Sequence, residues 1–255
     1  MAILRYKMLT AQEIREYAEE GKSIAVLPLG SIEQHGPHLP VGTDFILSEA
    51  YIERLLKKEG RGDVNYLILP SLPYTCSIEH NHFGGTIALD SVMTIQILIS
   101  IGEALLRAGL KSMLILCCHG GNEFIMEVAS RELRTRGMYC FCMHGSAGMS
   151  GETDPDDMHA GEGETSMMMS LGEEYYRADK INPESKDSFE KCKNLTNSRS
   201  KATQAWIVDD VSVQGVVGDP TLATKEKGEK FLDMSVKEIE KTLGIIADTV
   251  LKNRL

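Results

Sequence analysis

Leu27-Pro-Leu-Gly-Ser-Ile-Glu-Gln-His-Gly-Pro-His-Leu-Pro-Val-Gly-Thr-Asp44 decides the reading of this chain. Ile24, Ala25, Val26 and Leu27 lead into it as a short apolar run of the kind that forms a buried strand. Phe45 to Lys58 follows with apolar residues at helical spacing and predicts a helix stopped near Gly60. Between strand and helix lie Glu33, His35 and Asp44, on a loop stiffened by Pro37 and Pro40 and able to turn at Gly30, Gly36 and Gly42. Open α/β sheets place their chemistry in loops at the carboxyl ends of strands. Two carboxylates with an imidazole suit Zn²⁺, Mn²⁺ or Fe²⁺ better than Ca²⁺ or Mg²⁺. The plainer alternative is an N-capping Asp44 beside two solvated polar residues.

The same alternation continues along the chain. Thr10 with Glu13 has capping-box spacing and opens a helix ended by Gly21. Tyr66 to Pro70, Lys111 to Cys118 and Tyr139 to Met143 predict three further strands, and Trp206 to Val213 a last one. Asp90 or Ser91 caps a helix reaching Ala108, and further helices are expected over Glu123 to Thr135, Gly161 to Tyr176 and Thr224 to Leu251. His144 to Asp157 reads as a loop too polar for the core, and Ala178 to Lys201 as an excursion over the surface. With no repeat and no linker, the 255 residues are expected to form one three-layer α/β/α domain with a mainly parallel central sheet.

Composition narrows the function. The formal net charge of -10 argues against nucleic acid as a partner, since phosphate binding calls for a basic stripe. No apolar run approaches the ~18 residues of a membrane span, and Met1 to Glu20 lacks the apolar core of a signal peptide. A cytoplasmic location is expected, with a small molecule as substrate. Cys76, Cys117, Cys118, Cys140, Cys142 and Cys192 form no CxxC pair and read as small core residues. Met167 to Met169 reads as core packing on a helix.

Polar clusters follow several of the apolar strands: Glu33/His35/Asp44, Glu79/His80/His82, His119/Asn122 and His159/Glu162/Glu164. Parallel strands bring such clusters to one edge of a sheet. Singly, each has an ordinary explanation: Asn122 as a helix N-cap, Glu164 as a charge suited to a helix dipole, Glu79 and His80 as loop anchors.

Five segments together resemble the creatininase (creatinine amidohydrolase) family: Gly30 to Asp44, Glu79-His80 with Gly85-Thr-Ile87, His119-Gly-Gly-Asn122, His159-Ala-Gly-Glu-Gly-Glu-Thr-Ser166 and Gly215-Val-Val-Gly-Asp-Pro220. The resemblance implies an α/β/α fold, two divalent metal ions (Zn, Mn or Fe) and a homo-oligomer, often a hexamer. It implies Glu33, His35, Asp44, His119 and Glu164 as metal ligands, with Asp44 bridging, and His159 as the proton-shuttling catalytic residue. Gln34 and Asn122 are candidates to orient ligands, and Glu79, His80, Gly120, Gly121 and Asn122 to line the substrate site, with the Gly120 and Gly121 N–H groups facing an oxyanion.

Creatininase itself carries Tyr and a metal-binding Glu where this chain has Gly120 and Gly121, and tryptophans before its His-Ala-Gly motif. Trp206 is the one tryptophan here and lies after that motif. Creatinine is therefore a poor expectation as substrate. Other branches of the family deformylate formamidopyrimidine nucleotides, trim peptides in cofactor maturation, or open cyclic ketones of inositol breakdown. The expected activity is hydrolysis of a small cyclic amide or related C–N bond by metal-activated water. The alternatives are a ketone hydrolase, a deformylase or a non-catalytic metal-binding subunit. A nucleotide-binding domain is disfavoured, since neither GxGxxG after the first strand nor GxxxxGK occurs.

Overall fold

A computed structural model describes residues 2–58, 63–154, 157–182 and 205–253. The strands are β1 (Ile3–Arg5), β2 (Ser23–Leu29), β3 (Asn65–Ile68), β4 (Ser112–Cys117) and β5 (Tyr139–His144). They form one sheet in the order β1-β3-β2-β4-β5, with every pair parallel. The helices are α1 (Ala11–Glu19), α2 (Thr43–Leu56), α3 (Ser91–Arg107), α4 (Glu123–Thr135), α5 (Glu162–Leu171) and α6 (Lys225–Asn253).

Side-chain alternation along the strands divides the core into two layers. Ile24 and Val26 of β2 face Leu114 and Leu116 of β4 under α2, α5 and α6. Ala25, Leu27 and Leu29 face the opposite way, with Met113, Ile115 and Cys117, under α1, α3 and α4. Helix starts follow their local chemistry. Thr10 Oγ1 accepts from Glu13 N while Glu13 reaches back to Thr10 N, and Asp90 accepts from Met93 N at 2.8 Å.

The strand order places the site. The chain passes from β2 to β3 on one side, then returns across the sheet to β4 and continues to β5 on the other. β2 and β4 therefore flank a topological switch point, where the loops leaving them diverge and open a crevice. Register sharpens this: Leu29 pairs with Cys117 and Cys117 with His144, so β2, β4 and β5 end level.

Several expectations are corrected. β1 has no counterpart in the sequence reading; at three residues it is too short to show a period and exists through pairing with β3. Trp206 to Val213 is no strand: Val208–Asp210 is a 3₁₀ turn, and Trp206 packs on Val211 and Val217. The segment from His144 to Asp157 is not all surface. His144 ends β5, Gly145–Met149 is a 3₁₀ turn with Met149 in the core, and a Cβ on Gly148 would meet the Met234 carbonyl oxygen of α6 at 2.5 Å. The helix from Gly161 ends at Leu171, because Gly172 takes φ +153°. Cys142 is exposed on β5 rather than buried, while Cys76, Cys117 and Cys118 are buried and unpaired. Gly60, Cys192 and the excursion beyond Asn182 lie outside the described residues. Among the described residues no helix is long and apolar enough to cross a membrane.

Candidate metal centre

Side chains from five parts of the chain meet over the β2–β4 crevice. Glu33 and His35 come from the loop after β2, where Glu33 N donates to Val41 O at 2.9 Å. Asp44 lies in the first turn of α2 and Glu164 in the first turn of α5, positions where the helix dipole favours carboxylates. His119 lies two residues past the end of β4. His159 is held by a bridge to Val217, with His159 N donating to Val217 O at 3.0 Å and Val217 N to His159 O at 2.8 Å.

Hydrogen bonds assign the ring protons. His35 Nδ1 lies 3.0 Å from Glu33 O, a carbonyl that can only accept, so Nδ1 carries hydrogen. His35 Nε2 is thereby the nitrogen that faces Asp44 Oδ1 (3.2 Å) and Glu164 Oε2 (3.7 Å), able to carry a proton toward them or to offer a lone pair to a cation between them. His119 Nδ1 lies 3.0 Å from Glu33 Oε2 and 3.4 Å from Asp44 Oδ2. Asp44 thus presents one oxygen to each imidazole. Glu33 Oε1 and Oε2 and Asp44 Oδ2 are buried without a hydrogen bond. Such an arrangement is stable only with positive charge between the lone pairs.

Protons supply that charge in the bare protein. Burial alone would push His35 down, but Asp44, with Glu164 and Glu33, holds it at about 10. His119 rises well above its usual value for the same reason, burial being overcome by Glu33 and Asp44. Asp44 goes the other way: burial would raise it, and His35 and His119 hold it low. Glu164 is pushed up to about 7 by burial, which outweighs the cationic His35. Ligand atoms of Glu33, His35 and Asp44 lie within 4.8 Å of one another, as do those of His35, His159 and Glu164. The imidazole and carboxylate donors and the orphaned buried oxygens fit divalent cations of the Zn, Mn and Fe type.

His159 is different. Its Nε2 lies 2.8 Å from Gln34 O and donates, leaving Nδ1 bare and 3.7 Å from Glu33 Oε1. Burial, with the neighbouring His35 and His80, keeps this ring neutral, well below the usual histidine range. The Gln34 amide nitrogen donates to His80 Nδ1 (2.8 Å) and Gly215 O (3.0 Å), while Gly36 N donates to Gln34 Oε1. Accepting at Nδ1, His80 carries its hydrogen on Nε2, 3.4 Å from Glu33 Oε1. The third close group, Glu33 with His80 and His159, therefore has a proton where a ligand lone pair would be needed.

The expected pocket residues differ in their surroundings. Glu79 Oε1 lies 3.1 Å from His119 Nε2, and Gly120 and Gly121 are exposed beside them. His80 is buried. Asn122 is buried too; its amide donates to Thr75 Oγ1 at 2.8 Å and does not cap α4. His82 and Glu162 leave the cluster altogether, pairing with Asp209 and Lys227.

Asp157 is the residue the sequence reading missed. Its carboxylate accepts from Glu162 N and Gly163 N, both at 2.8 Å, and anchors the start of α5 that carries Glu164. Burial pushes it up to about 6. Its one signal was an acid five residues ahead of a helix, lost in a loop rich in Gly, Ser and Asp. Ala160, at φ +52°, turns the chain so that its N–H donates to Glu164 Oε2 at 2.6 Å.

The chain is similar to several known proteins. A mycofactocin precursor peptide peptidase of Mycobacterium ulcerans is 31% identical over 81% of this chain and 78% of its own length. The creatinine amidohydrolase of Pseudomonas putida is 26% identical over 91% and 92%. A crystal structure of creatinine amidohydrolase (creatininase) superposes with a TM-score of 0.71 at 22% identity, covering 95% of this chain and 97% of that one. The family model described as creatinine amidohydrolase matches residues 7–243, and the chain belongs to the creatininase family.

Proposed function

We propose that this protein is a two-metal hydrolase that cleaves an amide C–N bond. One observation carries the proposal: the two oxygens of Asp44 face two different imidazole nitrogens, His35 Nε2 and His119 Nδ1. His119, Glu33 and Asp44 would hold one cation, and His35, Asp44 and Glu164 the other. Two cations bound there would supply a water of lowered pKa and polarise the substrate carbonyl.

The chain's own residues do the rest. Neutral His159, with Nδ1 bare, takes up a proton as water attacks and returns it to the departing nitrogen. Gln34 holds His159 and His80 in register through its backbone carbonyl and its side-chain amide. Gly120 and Gly121 begin a helical turn whose first N–H groups have no intrahelical partner, and so suit a carbonyl oxygen gaining charge. An open cleft of about 710 Å³, lined by Gln34, Phe83, Lys180 and Gln214 but by none of the metal-ligand candidates, offers room for a substrate's approach.

Creatinine is disfavoured, because Trp206 is packed on Val211 and Val217 and does not precede His159. A peptide amide is a second reading alongside a small cyclic amide. The M. ulcerans relative named as a peptidase supports it.

The test is metal content and turnover on protein purified without chelator. Wild type should hold about two ions per chain. Asp44→Asn should lose them with unchanged far-UV circular dichroism. His159→Ala should keep them and lose ~10²-fold or more in turnover on a panel of peptide and cyclic amides. Full metal in Asp44→Asn, or hydrolysis surviving exhaustive chelation, would refute the proposal.

A further inference from the structure

We propose that Glu79 is a positioning residue that acts on the metal centre through His119, and that Gly121 is glycine to make room for it. The inference rests on the reading of His119 as a metal ligand.

The site histidines differ in what stands behind them. His35 Nδ1 and His159 Nε2 are both backed by neutral backbone carbonyls, those of Glu33 and Gln34. His119 Nε2 is backed by a carboxylate, Glu79 Oε1 at 3.1 Å, while its Nδ1 points at Glu33 and Asp44. The contact has the distance of an ion pair without the alignment of a hydrogen bond. A carboxylate on the far side of an imidazole makes the near nitrogen a stronger donor and fixes the orientation of the ring. Among these three rings, the Glu79 carboxylate makes its ion-pair contact with His119.

Gly121 supplies the second observation. A Cβ there would lie 2.0 Å from Glu79 Oε1 and 2.5 Å from His119 Nε2. Gly121 has an ordinary φ, so glycine serves here for space rather than for backbone freedom. The Glu79 carboxylate and the His119 ring edge occupy the volume that any side chain at this position would take. The Glu79 side chain is one-fifth exposed. An alanine at position 121 must therefore displace the Glu79 carboxylate and also press on the His119 ring edge, so Gly121→Ala reads the two together and the Glu79 variants read Glu79 alone.

The experiment titrates full-length protein, freed of metal by chelation, with Zn²⁺ against a chromophoric chelator. Wild type, Glu79→Gln, Glu79→Ala, Gly121→Ala and His119→Ala are compared, with ¹⁵N histidine spectra of the zinc-loaded forms. Both Glu79 variants and Gly121→Ala should weaken one of two binding steps by ~10–100-fold and leave the other unchanged. The His119 Nε2 signal should shift in all three. Wild-type affinity at both steps in Glu79→Ala, with His119→Ala losing one ion, would overturn the role of Glu79 and leave the metal centre standing. Wild-type binding in His119→Ala would overturn the metal centre itself. A Glu79→Ala protein whose metal-free form melts lower but binds zinc normally would show a structural role only, and would also overturn the proposal.

Discussion

Two glycines on α6 should respond in opposite directions to the same substitution. Alanine in place of a helical glycine normally stabilises by roughly 0.5–1 kcal/mol, because it reduces the freedom of the unfolded chain. Gly244 has nothing within 4 Å of an added Cβ, so Gly244→Ala should show that gain. Gly228 sits where α6 crosses α5. A Cβ there would fall 1.8 Å from Ser166 O, 2.4 Å from its carbonyl carbon and 2.9 Å from Met167 N. The obstacle is backbone and cannot rotate away, so the helices must part by roughly 1.5 Å to restore ordinary contact. Overpacking of this kind costs about 1–3 kcal/mol, and the upper end applies where no side chain can yield. After the propensity gain, Gly228→Ala should be about 2 kcal/mol less stable, a fall of roughly 4–8 °C in Tm for a chain of this size. Thermal and urea denaturation of the metal-free protein measure both variants. The displacement also moves Ser166, two residues from Glu164, so metal content should be read in parallel. A Gly228→Ala protein that melts at or above wild type would refute the close α5–α6 packing and the argument built on it.

His38 should make the metal-free fold sensitive to acid. Burial, and then the charge of His35, push it down to about 4, against 6.5 when unfolded. The unfolded chain binds the extra proton, so stability is full above pH 6.5 and falls as pH drops toward 4, by up to ~3 kcal/mol. His38→Asn should flatten the pH dependence of urea midpoints over that range; an unchanged slope would contradict the assignment. We also expect a homo-oligomer, as the family resemblance implies. Val92 and Met93 on α3 and Phe124 and Val128 on α4 are exposed apolar side chains on one layer of the fold, and Phe124 is 75% exposed. Light scattering should give a multiple of the 28.2 kDa chain mass, and a monomer would refute it.

Local chemistry made much of the architecture legible. The apolar runs at β2 and β4, the capping acids at Glu13 and Asp90, and the glycines at helix ends act over a few residues, and the structure follows them. What the sequence could not show depends on partners far along the chain. β1 exists because Ile3 pairs with Tyr66, and Trp206 to Val213 has strand-like composition but no strand to pair with. The five segments that suggested the family marked Glu33, His35, Asp44, His119, His159 and Glu164 as candidates. Their direction was invisible, because a side chain's neighbours are set by packing and not by spacing. Only the tertiary structure brought Asp44 between two imidazoles, bared His159 Nδ1 by placing Gln34 O behind the ring, and set Glu79 against His119. The physical reason is the parallel sheet. It carries the ends of β2 and β4 to one edge, 88 residues apart at Leu29 and Cys117, where pairwise distances rather than residue order decide which atoms share a proton or a cation.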